Sequence, residues 1–299
     1  MKAVSLLSKH VSRLVKAFKG FDDALTSYSN QPQGMFGRVA VIRSGNVTLK
    51  SEELDIEFVV PFDDDAEANE AEMIVYNLSK STIQGLKYNS VITIEAGYKG
   101  DTGLIFSGYI SKVTTKTQGL DKITTIKAIS DTDLQERDIT EISYKAGTKA
   151  SYILKDLVSK IKLPVAVFKV RRDYTYKDKT KVDGGLMDNI RKYAEVCGVS
   201  VYINNGKIYV RHISEGENIS FVIKPETGLI SVEDFEEEVT GEDYKDTVKG
   251  WEIECLLQHR LTTAAIVTLQ SQNANGRFRV CSGEHRFNPS EAITKAKMY

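Results

Sequence analysis

Apolar residues in the first part of the chain recur at alternating three- and four-residue steps: Val4, Leu7, Val11, Leu14, Phe18, Phe21 and Leu25. That spacing puts one stripe on one face of a helix. Lys2, Lys9, Arg13, Lys16 and Lys19 fall off the stripe, so the pattern predicts a basic amphipathic helix. Gly20 weakens its middle, and Asp22 can cap a second short piece. Thr26 to Gly37 is a polar linker containing Pro and Gly.

The period then changes. Between Arg38 and Ile129 the runs RVAVIR, ELDIEFVVPF, EMIVYNL, SVITIEAGY, LIFSGYISKVTT and KITTIKAI alternate with turn-rich spacers, which predicts strands of a sandwich or barrel. PFDDDAEANEAE, whose acidic side chains cannot be buried unpaired, is expected to be a solvated loop before apolar residues resume at Met73. After Gly147 helical spacing returns. Ile153, Leu154, Leu157, Val158 and Ile161 mark one helix, and Leu186, Ile190, Tyr193, Ala194 and Cys197 a second. Each leads into strand-like residues, the second through a hairpin at Asn204, Asn205 and Gly206. Short strands resume from Asn218, broken by EDFEEEVTGEDYKD, which is expected to be an acidic loop.

The resulting expectation is a β-dominated α+β chain in which two tube-like β-barrel or sandwich domains flank a small α+β module. Its boundaries fall at residues 1–30 for the amphipathic helix and the start of its linker, 31–140 for the first β-domain, 141–215 for the module and 216–299 for the second β-domain.

Composition narrows the function classes. The 299 residues carry 40 Lys+Arg against 41 Asp+Glu, a net charge of −1, so the electrostatic footprint of a dedicated nucleic-acid binder is missing. No apolar run reaches the roughly 20 residues that cross a bilayer, and MKAVSLLSKH lacks a continuous apolar signal-peptide core, so a soluble protein without stable membrane insertion is expected. Cys197, Cys255 and Cys281 are odd in number and widely spaced, which predicts reduced, buried thiols.

Several groups raise specific chemistry. Cys255 with His259 and Cys281 with His285 form two C-x-x-x-H pairs of good zinc ligands. On strands, though, four residues span about 13 Å, too far for a pair to share one ion, so no metal site is expected. Asp63, Asp64 and Asp65 could be a hard-cation site or a carboxylate pair, but the calcium-loop glycine is missing. GYKGDTG, from Gly97 to Gly103, reads as a hairpin turn, because no helix follows to present amides to a phosphate. KVRRDYTYKDKTK, with Tyr174 and Tyr176 inside it, resembles a single-strand nucleic-acid platform, but Asp173 and Asp178 make a solvated mixed-charge loop the better reading. Nucleophile elbows, Walker loops, HExxH and dinucleotide fingerprints are all missing, so neither catalysis nor a cofactor is expected. The stripe residues Val4, Leu7, Val11, Leu14 and Phe18 are the candidate interface. Their strict alternation favours a protein partner over a membrane surface.

Taken in order, SVITIEAGYKGDTGLIFSGYISKVTT, KITTIKAISD, SYKAGTKASYILKDLV, GLMDNIRKYAEVCGVSVYINNGKIYV and VKGWEIECLLQHRLTTAAIVTLQSQNANGRFRVCSGEH resemble the baseplate hub proteins of phage tails and phage-tail-like particles. The likeness runs over most of the chain after about Val39. It implies a homotrimer at the tail tip whose β-domains imitate the six-fold tube above. It also implies a structural role: adapting the tail tube, or a tube-initiator protein, to the spike protein and surrounding the end of the tape-measure protein. The same resemblance implies a place in the virion or tail-like particle, assembled in the host cytoplasm, and no chemistry or sequence-specific nucleic acid. The chain ends at Tyr299, where no appended lytic module is expected. The N-terminal helix has no counterpart in the family pattern. Two alternatives stay open on the residues alone: a tail-associated peptidoglycan hydrolase, and a carbohydrate- or nucleic-acid-binding β-barrel.

Overall fold

The computed structural model describes residues 36–64, 68–130, 138–241 and 244–299. The stripe residues Val4, Leu7, Val11, Leu14 and Phe18 lie outside the described residues.

The first strand-rich stretch holds β1 (Arg38–Ser44), β2 (Val47–Lys50), β3 (Ile56–Phe62), β4 (Glu70–Tyr76), the short helix α1 (Lys80–Gly85), β5 (Val91–Tyr98), β6 (Asp101–Gln118) and β7 (Asp121–Ile129). Alternation along these strands sets what is buried: in β3, Ile56, Phe58, Val60 and Phe62 point inward while Val59 stays outside. Ser79 caps α1, its hydroxyl accepting from the Thr82 amide at 3.1 Å.

The middle of the chain holds β8 (Asp138–Tyr144), α2 (Ala150–Ser159), β9 (Val165–Phe168), β10 (Thr180–Gly185), α3 (Leu186–Cys197), β11 (Ser200–Asn204) and β12 (Lys207–Arg211). All ten apolar positions expected at helical spacing are buried here. They form one cluster with residues of β10, β11 and β12, separate from the clusters on either side. Gly198 ends α3 in the left-handed conformation at φ 66°. The β11–β12 turn uses Asn205 (φ 49°) and Gly206 (φ 70°), while Asn204 stays in the strand.

The last stretch holds β13 (Glu217–Ile223), a 3-10 turn at Pro225–Thr227, β14 (Leu229–Gly241), β15 (Tyr244–Leu256), β16 (Ala265–Gln270), β17 (Asn275–Phe287) and β18 (Ala292–Met298). The acidic loop expected at EDFEEEVTGEDYKD is corrected: it is strand as far as Gly241 and again from Tyr244, because β14 and β15 pair along it. β17 pairs antiparallel with β3 over five residues, from Gly283↔Phe62 to Phe287↔Phe58. That pairing joins both strand-rich stretches into one 13-stranded sheet in the order β14-β15-β18-β17-β3-β4-β7-β6-β5-β1-β2, with β16 and β13 branching from β17. The expectation of barrels is corrected here: among the described residues no barrel closes, because β2 and β14 end the path without a second neighbour.

A further correction concerns the acidic stretch after β3. Instead of a loop up to the apolar residues at Met73, β4 begins at Glu70 in the ladder with β7, where Glu70 and Glu72 share Lys127 at 2.6 and 3.5 Å. Asp64 is not solvated either. It pairs with the buried Arg279 of β17 at 2.6 Å.

Candidate functional site

The residues most removed from what their types would choose alone gather where the two halves of the sheet meet. Phe58 of β3 stacks on Phe287 of β17 with centroids 5.2 Å apart and planes 16° from parallel, and Phe62 lies 5.0 Å from the His285 ring. Gly283 lets the strands close: a Cβ there would lie 2.2 Å from the Lys295 carbonyl oxygen and 2.6 Å from the Phe62 ring. His285 is wholly buried, and its Nδ1 is 2.8 Å from the Thr294 hydroxyl of β18. Burial pushes its pKa down to about 3, so the ring is neutral.

Polar contacts lock both ends of this seam. At one end, Asp101, the first residue of β6, accepts two hydrogen bonds from the Arg260 guanidinium at 2.7 and 2.8 Å and lies 3.1 Å from His259 Nε2. The Arg260 hydrogen bonds hold the Asp101 carboxyl below the ordinary carboxylate range, while burial lowers the His259 pKa. A Cβ on Gly103 would sit 2.2 Å from His259 Nδ1, so this glycine of the GYKGDTG turn makes room for the imidazole. Nearby, Tyr98 Oη donates to the Ala292 carbonyl at 3.0 Å and Arg38 to the Pro289 carbonyl at 2.7 Å. At the other end, Arg279 also donates to the Glu215 carbonyl at 3.3 Å, and Thr263 Oγ1 to the Asp63 carbonyl at 2.8 Å. The middle module is tied on as well. Asn204 reaches Thr262 and Thr263 at 3.4 Å.

This arrangement places the four candidate zinc ligands in separate roles. Cys255 and His285 flank Thr294 from opposite sides, each one strand away. His259 has left the strand to meet Asp101, and Cys281 donates to the Lys297 carbonyl at 3.2 Å. Burial raises the pKa of Cys255 to about 12 and of Cys281 to about 11, which makes both poor thiolate ligands or nucleophiles. Among the described residues no three His, Cys, Asp or Glu side chains converge to hold a metal.

The Lys/Arg/Tyr segment is the exposed mixed-charge loop expected, and it also touches both helices. Arg172 donates to the carbonyls of Glu195 and Val196 at the end of α3. Asp173 accepts from the Ser151 amide and hydroxyl at the start of α2 at 3.0 and 2.8 Å. Those are the charges a helix dipole favours at each end. The seam ion pairs escaped sequence reading because their members lie 158 to 215 residues apart. Their only local signal was charge beside glycine at Asp101 and beside strand at Arg279.

The geometry therefore joins two sheet halves through one strand pairing and presents no activated nucleophile among the described residues. In sequence, residues 71–282 match the family Baseplate hub gp41. A search of curated proteins found no match. In structure the chain is similar to the 43 kDa tail protein of prophage MuSo2 from Shewanella oneidensis, with a TM-score of 0.62 and 9% identity over 87% of this chain and 97% of that one. It is also similar to a tail protein from Neisseria meningitidis, with a TM-score of 0.64 and 10% identity over 88% and 96% of the two chains. A third likeness is to the E. coli c3393 protein, a component of the type VI secretion system structurally similar to the T4 bacteriophage tail proteins gp27 and gp5; its TM-score is 0.63, at 9% identity over 86% and 76%. With more than half its length matched, the chain belongs to the Baseplate hub gp41 family, the structural hubs of phage tail baseplates.

Proposed function

We propose that this chain is a non-enzymatic hub that forms a homotrimer at the tail tip, adapts the tail tube or a tube initiator to the spike, and surrounds the end of the tape-measure protein. The family match over residues 71–282 carries the reading. The seam supports it. A hub transmits load between tube and spike, and a continuous ladder held by the Asp101–Arg260 and Asp64–Arg279 ion pairs resists hinge motion between its halves. The open outer edges of β2 and β14, at the two ends of the strand path, suit ring formation, since an assembly hides the edges that a monomer leaves open. In this reading residues 31–140 and 216–299 are two related β-domains and residues 141–215 an inserted module, while the stripe of Val4, Leu7, Val11, Leu14 and Phe18 anchors a neighbouring protein.

Electron microscopy of a lysate from the producing cell, with a gold-labelled antibody to this chain, tests the role. Label at the tip of tail-like particles is the expected result. Label spread over free protein, with tips unmarked, contradicts it.

A further inference from the structure

Among the described residues two arginines are buried, Arg211 of β12 at 6% exposure and Arg279 of β17 at 2%. A guanidinium cannot shed its proton, so a buried one needs a counter-charge and acceptors for its N–H groups.

The two come to one place. Arg211 Nε donates to the Tyr202 hydroxyl of β11 at 2.7 Å, and its guanidinium lies 5.0 Å from the centroid of Tyr209, which stacks on Tyr202 with planes 3° from parallel. The short stretch that leads from β12 into β13 meets both arginines: the Glu215 carbonyl accepts from Arg279 Nε at 3.3 Å, and the Glu217 carboxylate lies 3.8 Å from Arg211 Nη1. Backbone positions two residues apart are within about 7 Å of each other, so the guanidiniums are neighbours. Tyr202 accordingly lies within electrostatic reach of Arg279 and Asp64 as well as of Arg211.

Donors outnumber acceptors here. Asp64 takes Arg279 Nη1 at 2.6 Å, but Arg279 Nη2 is buried without a hydrogen-bond partner among the described residues. The Tyr202 hydroxyl, 1% exposed as a residue, accepts from Arg211, and its own proton meets no acceptor among the described residues. Charge is unequal in the same sense. Asp64 balances Arg279, whereas Arg211 has only Glu217, 58% exposed and beyond hydrogen-bond distance. The Tyr202 and Tyr209 rings offset part of the Arg211 charge without supplying a negative one.

We propose that Tyr202, Arg211 and Arg279 form a closed site for one chloride-sized anion, which accepts from the Tyr202 hydroxyl and Arg279 Nη2 and balances the Arg211 charge. Burial of all three residues selects the ligand class. Three donor hydrogens with no exposed mouth suit a monatomic ion, since a phosphate or sulfate would bring four oxygens that each need partners. Water can accept the same hydrogen bonds but leaves the charge unbalanced, so it is the competing occupant. The ion ties β11 and β12 of the middle module to β17 of the sheet, and it does so whatever the assembly around the chain.

Bromide replaces chloride and scatters anomalously, which gives a direct test on the unaltered full chain. Crystals grown in sodium bromide should show an anomalous peak in contact with Tyr202 Oη and Arg279 Nη2. A map with no bromide there, or with a water in that position, overturns the proposal. In solution, the urea midpoint should rise and saturate as chloride replaces gluconate at constant ionic strength, as linkage to a bound ion requires. Tyr202→Phe keeps the ring and should weaken the apparent chloride affinity at least about tenfold, the loss expected for one hydrogen bond to a charged acceptor. A midpoint indifferent to chloride, or one that responds equally in Y202F and the unaltered chain, contradicts the site. The bromide map needs no variant, so it decides the matter even where Y202F folds poorly.

Discussion

His285 shows how a single buried residue records the joining of the two sheet halves. Its ring is enclosed by Phe62 of β3 and Thr294 of β18, with His259 the nearest titrating neighbour and Asp101 and Arg260 beyond it. Burial depresses its folded pKa from 6.5 to about 3. The unfolded chain therefore takes up a proton below about pH 6.5 that the folded chain refuses. This contribution to stability is complete above that pH and is lost as pH falls toward 3, by about 1.4 kcal/mol per pH unit in mid-window. His259, also depressed by burial, acts in the same direction, and Asp101, held low by Arg260, adds its own loss at lower pH. Urea midpoints from pH 7 to 4 should fall steadily, and His285→Gln should flatten that slope. An unchanged slope in the variant would place the acid sensitivity elsewhere. None of this was legible in the sequence, where His285 was one half of a C-x-x-x-H pair. What gives it meaning is the pairing of β17 with a strand more than 200 residues earlier.

At the scale of elements, local pattern was a good guide wherever one face meets one core. The stripes at Ile153–Ile161 and Leu186–Cys197 became α2 and α3, because an amphipathic spacing admits one buried face. The strand runs and the Asn205–Gly206 hairpin followed in the same way. Pattern failed where charge is satisfied at long range: Asp64 looked solvated until Arg279 arrived from β17. The amphipathic stripe Val4, Leu7, Val11, Leu14 and Phe18 lies outside the described residues, and its proposed role is testable as an element. An isolated helix of this length is marginal in water, so partner contact would supply its order. Deleting the residues before Gly34 should leave the thermal midpoint within about 2 °C, since the described buried clusters begin only at Ala40, and should abolish entry into particles. Normal entry by the truncated chain would end the anchoring role.

For the whole molecule, the sequence led to the right family and to a β-dominated fold, but not to the way its halves are connected. Strand runs identify strands without their neighbours, and nothing local in EFVVPF or GEHRFN announces that these segments pair. The result is one open sheet of thirteen strands rather than separate closed barrels, with a long unpaired edge at β14 and a short one at β2. Open edges suit the proposed ring, and a lone chain with such edges is prone to associate. The isolated protein can nevertheless sediment as a monomer when its neighbours at the tip supply the missing contacts. A cryo-electron microscopy reconstruction of the intact tail tip, computed without imposed symmetry, therefore tests the central claim most directly. Three copies of this chain around the axis, each placing residues 38–135 and 218–290 at successive positions under the tube, is the predicted result; one copy or six, or two strand-rich units that do not superpose on each other, would contradict it.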